Sequence, residues 1–235
     1  MSEAAPSRLD DYLDVFVSPT ALFTRRSDGK FGQALLVLVI LSAILFFATR
    51  TAMAPIMDAE FTKGMAGALK ANPNMTPEQM EQAQKYGTMF APVFILIAIS
   101  VAPFILGAVI FLVTKLIGGT LGYVQGITIA TFAMFPRIVE SIVGAVQALL
   151  MDESKLTSRF SVSLGLGRLL DPATTNAYLL ALAGRADVFT LWVTALIAIG
   201  IKVIARTTTA QAVAGAVIIW FIGALPVLYQ ATKQG

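Results

Sequence analysis

The sequence predicts an all-α integral membrane protein: a bundle of five transmembrane helices preceded by a short amphipathic amino-terminal segment. Three observations carry this. Between Phe31 and Tyr229 stand five long apolar stretches with almost no charge inside them, each able to cross a hydrocarbon core of about 30 Å as a helix. Charged residues make up 13% of the chain and hydrophobic ones 57%, with a mean hydropathy of +0.77, whereas a soluble domain carries about 25% charge. The stretches are continuous rather than alternating. They therefore read as helices and not as barrel strands, the only other structure that satisfies its peptide groups in lipid.

Residues 1–30 are polar and are read as a cytoplasmic segment ahead of a five-span domain over 31–230. Leu9, Tyr12, Leu13 and Phe16 fall at helical spacing with Asp10, Asp11 and Asp14 opposite, which predicts a short amphipathic helix with an acidic outer face. Ser18-Pro19-Thr20 is a helix start, a serine cap followed by proline in the first turn. Arg25, Arg26 and Lys30 sit just before the first span. They read either as topology anchors or as a site for lipid headgroups or a partner.

Span one is Phe31–Thr49, longer than a signal-peptide core and preceded by about thirty residues that include Asp10, Asp11, Asp14 and Asp28, so it reads as a retained span. A long polar connection, Arg50–Lys85, is expected next. It holds a turn at Ala71-Asn72-Pro73-Asn74 and a short helix opened by Thr76, Pro77 and Gln79 in capping-box spacing. Span two lies within Tyr86–Thr114, where Pro92 and Pro103 would start or kink the helix. Gly118, Gly122 and Gly126 follow at four-residue spacing. They suit either close helix packing or a tight turn. Span three is Ile127–Leu150. A second long connection, Asp152–Asp187, contains apolar stretches Leu164–Leu170 and Ala177–Ala183, read as interfacial or folded back, and a helix start at Asp171-Pro172. Spans four, Val188–Ala205, and five, Ala210–Tyr229, are joined by a very short turn at Arg206. Lys and Arg crowd the amino-terminal tail and the two short connections, which places the amino terminus in the cytoplasm and the carboxy terminus outside.

The composition also excludes. The chain has no cysteine and no histidine, so disulfides, thiolate chemistry, Ser–His or Cys–His nucleophile pairs and histidine metal sites are impossible. No GxxxxGK[ST] loop occurs. With a net charge of +3 spread along the chain, nothing suits nucleic acid. No metal, cofactor or catalytic residue is predicted, and the expected partners are the lipid bilayer and other membrane proteins or further copies of the chain.

The pattern resembles the Yip1 domain family of five-span membrane proteins. The residues that carry it are Val17-Ser18-Pro19 with Phe23, the glycine-rich turn after span two, Tyr123-Val124-Gln125-Gly126 leading to Phe135-Pro136, and Asp187 to Trp192 through Ile199-Gly200-Ile201 to Ala212 and Trp220. The resemblance covers Val17 to Tyr229 and is closest to a short prokaryotic member, which implies an inner-membrane location. It implies a helical membrane domain with a cytoplasmic amino terminus. For eukaryotic relatives it implies early secretory traffic, binding of prenylated Rab-type GTPases and mutual assembly.

Two groups of residues are candidate sites. Arg137 and Glu140, three positions apart on span three beside Pro136, lie on one helix face. A charge at mid-membrane costs at least ~2.5–3.5 kcal/mol, so the two read as a self-neutralising structural pair or as a pathway in a small transporter or channel. Leu9, Leu13, Phe16, Arg25 and Arg26 are the candidate cytoplasmic contacts of a partner-binding, non-enzymatic module, against a helix that only rests on the membrane.

Overall fold

The computed structural model describes residues 10–172 and 174–232. Among these there is no strand. The helices are α1 Asp10–Val17, α2 Pro19–Arg25, α3 Gly32–Ala71, α4 Pro77–Leu116, α5 Tyr123–Ala133, α6 Pro136–Leu150, α7 Ala177–Ala183, α8 Val188–Ile204, α9 Thr209–Ile222 and α10 Leu225–Thr232. Four segments are long and apolar enough to cross a membrane: Gly32–Lys70, Glu78–Leu116, Tyr123–Leu150 and Thr209–Thr232. The fifth, α8, has 17 residues, about 26 Å at 1.5 Å per residue.

The polar connection expected over Arg50–Lys85 is instead mostly helix. α3 and α4 each run for 40 residues, about 60 Å, and only residues 72–76 turn the chain. Hydropathy marks where lipid ends, not where a helix ends. The residues beyond Thr49 are largely good helix formers, so the helix continues in polar surroundings. The turn chemistry itself is as predicted. Thr76 N–H donates to Gln79 Oε1 at 3.0 Å, and Gln79 N–H donates to Thr76 Oγ1 at 3.3 Å. Neither Pro92 nor Pro103 starts α4, which begins at Pro77 and runs through both.

Two other prolines do break helices. Pro136 has no N–H for the Phe132 carbonyl, and that carbonyl accepts from Phe135 at 3.2 Å instead. The third span therefore divides into α5 and α6 around Met134 and Phe135. Pro226 likewise follows the break between α9 and α10.

The chain forms two compact units. The described part of the first is 10–38, Ser100–Arg137 and Leu191–Ile222. Its centre is α5, in which eight successive residues, Gly126 to Ala133, are buried, as expected of a helix apolar all round. Helix α4 approaches it backbone to backbone, and α8 closes on one of its side chains. A Cβ on Gly126 would sit 2.5 Å from the Gly107 carbonyl oxygen, and one on Gly107 would sit 2.7 Å from the Ile127 nitrogen. A Cβ on Gly200 of α8 would meet Ile129 at 2.7 Å.

Glutamines three residues past the cap of α5 and α9 tie the turns down. Gln125 accepts from Gly122 N–H (2.8 Å) and donates to the Ser27 carbonyl (2.8 Å). Gln211 accepts from Thr208 N–H (3.0 Å) and donates to the Ile117 carbonyl (2.9 Å). Gly118 occupies its turn with φ +81°, a conformation cheap only for glycine.

The second unit is Val39–Ile99, Ile138–Thr190 and 223–232. Its connection after α6 folds into 3₁₀ turns at Glu153–Lys155, Arg159–Val162 and Leu166–Leu169. Helix α7 starts at Ala177, not at Asp171-Pro172. Asn176 supplies the cap, accepting from Tyr178 N–H at 3.0 Å, while the Asp171 carbonyl closes a turn, accepting from Thr174 and Thr175 N–H. Asp187 is buried because it caps α8, accepting from Phe189 N–H and Thr190 N–H at 3.0 Å each. Ile56, Ala148 and Leu156 form an apolar cluster in this unit, with Ala52, Met53, Met151 and Val162 packed against it.

Gly126→Val should lower stability in detergent by about 1–3 kcal/mol, because the Gly107 backbone cannot give way. Gly64→Ala, where a Cβ meets nothing within 4 Å, should leave the melting temperature unchanged or raise it.

Candidate functional site

Helices α1 and α2 are separated by Ser18 alone. Pro19 opens α2 as predicted, but Ser18 contributes no side-chain cap. Its nitrogen closes α1 on the Asp14 carbonyl at 2.9 Å, and its carbonyl accepts from Leu22 at 3.1 Å. With so short a link α2 folds back along α1, and the arginines at its end return to the aspartates.

The acidic face predicted to look outward looks inward. Asp11 is 3% exposed and Val15 is fully buried, while Leu13 is 69% and Val17 75% exposed. The reason is a pair of guanidinium groups. Arg25 gives Asp11 Oδ1 two hydrogen bonds, from Nε at 3.2 Å and Nη2 at 2.9 Å, and reaches Asp14 Oδ2 at 2.5 Å. Arg26 takes the other oxygen of Asp11, with Nε at 2.6 Å and a second contact through Nη2. A carboxylate out of water needs such compensation, and periodicity on α1 alone cannot supply the information.

The aromatic side chains of α1 then pack inward at the flanks. Tyr12 lies 5.5 Å from Phe135 and Phe16 meets Trp192 edge to face at 5.4 Å, measured between ring centroids. Beneath them Phe23 meets Phe132 edge to face at 6.5 Å. A recess of about 200 Å³ opens beside the clamp, walled by Tyr12, Arg26, Lys30 and Gln33 among others.

Titration follows this geometry. Burial, reinforced by the charge of Asp11 and opposed by Arg26, holds the Tyr12 phenol above its usual range. Burial pulls the Arg25 guanidinium down, but its hydrogen bonds and charge attraction to Asp11 and Asp14 outweigh this and leave it raised. Asp28, hydrogen-bonded to Lys30, is held below the ordinary carboxylate range; the two are 2.7 Å apart.

Of the candidate contact residues, Leu13 is therefore presented to the outside, Phe16 is half-buried, Arg25 and Arg26 are engaged by acids, and Leu9 lies outside the described residues. Arg137 and Glu140 both lie in the first turns of α6, half-buried, directly after the buried Pro136. Among the packing glycines, Gly126 lies at the crossing with Gly107. Gly118 and Gly122 precede α5, Gly118 in the turn and Gly122 as the helix cap. Sequence reasoning missed Gly107, a lone glycine in an apolar span, and the bridging role of Gln125. The N3 position of Gln125 after a glycine cap was the available signal for the latter. Among the described residues no three His, Cys, Asp or Glu side chains gather as a metal site.

Asp11→Asn should release the α1–α2 hairpin, at a cost of about 3 kcal/mol for two half-buried guanidinium groups left without their shared charge. Trypsin cleavage after Arg25 and Arg26 reads this out: faster in Asp11→Asn, unchanged in Asp28→Asn, whose ion pair is exposed.

A family model described as the Yip1 domain matches residues 13–229, nearly the whole chain. No match was found among curated proteins or among solved structures.

Proposed function

The chain belongs to the Yip1 domain family, and from that premise we propose a non-enzymatic membrane-organising or partner-binding module, amino terminus in the cytoplasm and carboxy terminus outside. The observation that carries it is the docked hairpin. Asp11 and Asp14 of α1 are spent on Arg25 and Arg26, and Leu13 and Val17 are left exposed. An exposed apolar strip on a segment pinned in place is a preformed contact surface that costs little ordering entropy on binding. The absence of histidine and cysteine supports the non-enzymatic reading, as does a family not known for enzymes.

Leu13→Glu and Val17→Glu should abolish specific crosslinks in native membranes while insertion stays intact. Crosslink patterns identical to wild type would leave the hairpin as a surface anchor. With no native cysteine, single cysteines at Asn74 or Gln230 should react with an impermeant thiol reagent from the outside; labelling only from the cytoplasmic side would reverse the orientation.

A second reading, a small transporter or channel, draws on the interruption of the third span at Met134 and Phe135 immediately before Arg137 and Glu140, since broken helices house transporter sites. On the structural reading, Arg137→Leu and Glu140→Leu each cost several kcal/mol and the double variant costs less, measured by thermal denaturation in detergent. Unchanged stability with altered solute or ion flux in liposomes would favour transport.

A further inference from the structure

In the second unit the face of α3 bearing Glu60, Lys63, Gly64, Gly67 and Ala68 has the spacing of one helical stripe. It forms one wall of a cleft of about 810 Å³, within the size range of ligand sites. The opposite walls come from Arg159 and Phe160, from Leu180 and Ala181 of α7, and from Val227 and Ala231 of α10. The charged lining residues are Lys63, Lys70, Arg159 and Glu60: three cations against one anion, and Glu60 Oε1 already accepts from the Arg159 backbone N–H at 3.0 Å. The Arg159 guanidinium lies over the Phe160 ring, 5.0 Å from its centroid. The remaining lining is almost wholly apolar or glycine. A Cβ on Gly64 or Gly67 would meet nothing within 4 Å, so these glycines give the cleft its room and no packing requires them.

Exposed tyrosines around the cleft place it at a membrane–water interface. Two adjoin the lining: Tyr178 follows Ala177 and Tyr229 precedes Gln230. Exposed Tyr86 precedes Gly87, whose Cβ position is 3.3 Å from Phe61, the neighbour of Glu60. Tyrosine concentrates at headgroup level.

We infer that this cleft binds an acidic glycerophospholipid, its phosphate facing Lys63, Lys70 and Arg159 and its acyl chains running over Phe160, Leu180 and Ala181. A free phosphate shares the headgroup chemistry but has no use for the apolar floor.

The test uses the full-length protein in detergent, titrated with phosphatidylglycerol, phosphatidylcholine or inorganic phosphate, with lipid retention read by native mass spectrometry and protection by melting temperature. Phosphatidylglycerol should be retained and raise the melting temperature, and the other two should not. Lys63→Gln, Lys70→Gln and Arg159→Gln should each weaken retention roughly fivefold, and Lys115→Gln should not. Gly67→Leu should block the cleft while leaving the lipid-free melting temperature unchanged, and it carries the test should a charge variant fail to fold. Equal retention of both lipids, or undiminished retention in Gly67→Leu, overturns the site. Equal protection by inorganic phosphate alone overturns the lipid assignment.

Discussion

Backbone-to-backbone contact at α5 is the constraint on which the first unit depends. Between helices in lipid no hydrophobic force acts, so association rests on van der Waals contact and hydrogen bonds. An 11-residue helix has little length over which to gather either. Gly107 and Gly126 let α4 meet α5 backbone to backbone, and Gly200 lets α8 close on the Ile129 side chain. Gln125, at the first turn of the same helix, then holds the Ser27 carbonyl, and Val124 packs where a Cβ on Gly29 would otherwise stand, 2.9 Å away. The amino-terminal hairpin is thus seated on a helix whose own position is fixed by glycines.

The hairpin adds an electrostatic lock to that seat. Asp11 is a carboxylate almost without solvent, held by four hydrogen bonds from two arginines. Removing one partner of such a group costs far more than removing an exposed ion pair like Asp28–Lys30. The lock decides which side of α1 is inside, and so which apolar side chains are available to other molecules.

Most local chemistry was legible in the sequence, the Ser18 cap and the Asp171-Pro172 helix start excepted, and long-range geometry was not. The capping box of Thr76 and Gln79, the turn at Asn72-Pro73 and the proline start of α2 depend on neighbours within a few positions, and they stand as read. The inward face of α1 depends on Arg25 and Arg26, 14 and 15 positions from Asp11. Helical periodicity treats an aspartate as outward whatever lies opposite. The full lengths of α3 and α4 were hidden because apolarity reports the lipid boundary. Gly107 was hidden because only its partner, Gly126, stood in a recognisable spacing. The cleft of the second unit drew its walls from α3, the connection before α7, α7 and α10, and no single stretch of sequence contains it.

The clamp also separates two moments in the life of Arg25 and Arg26. On the proposed orientation, lysine and arginine count as the chain enters the membrane and aspartate counts little, so at that stage the two arginines act unshielded. In the finished fold they are neutralised by Asp11 and Asp14. The two sides of one bond are therefore not equivalent to evolution. A change at Asp11 undoes only the mature contact, whereas a change at either arginine reaches back to biogenesis as well.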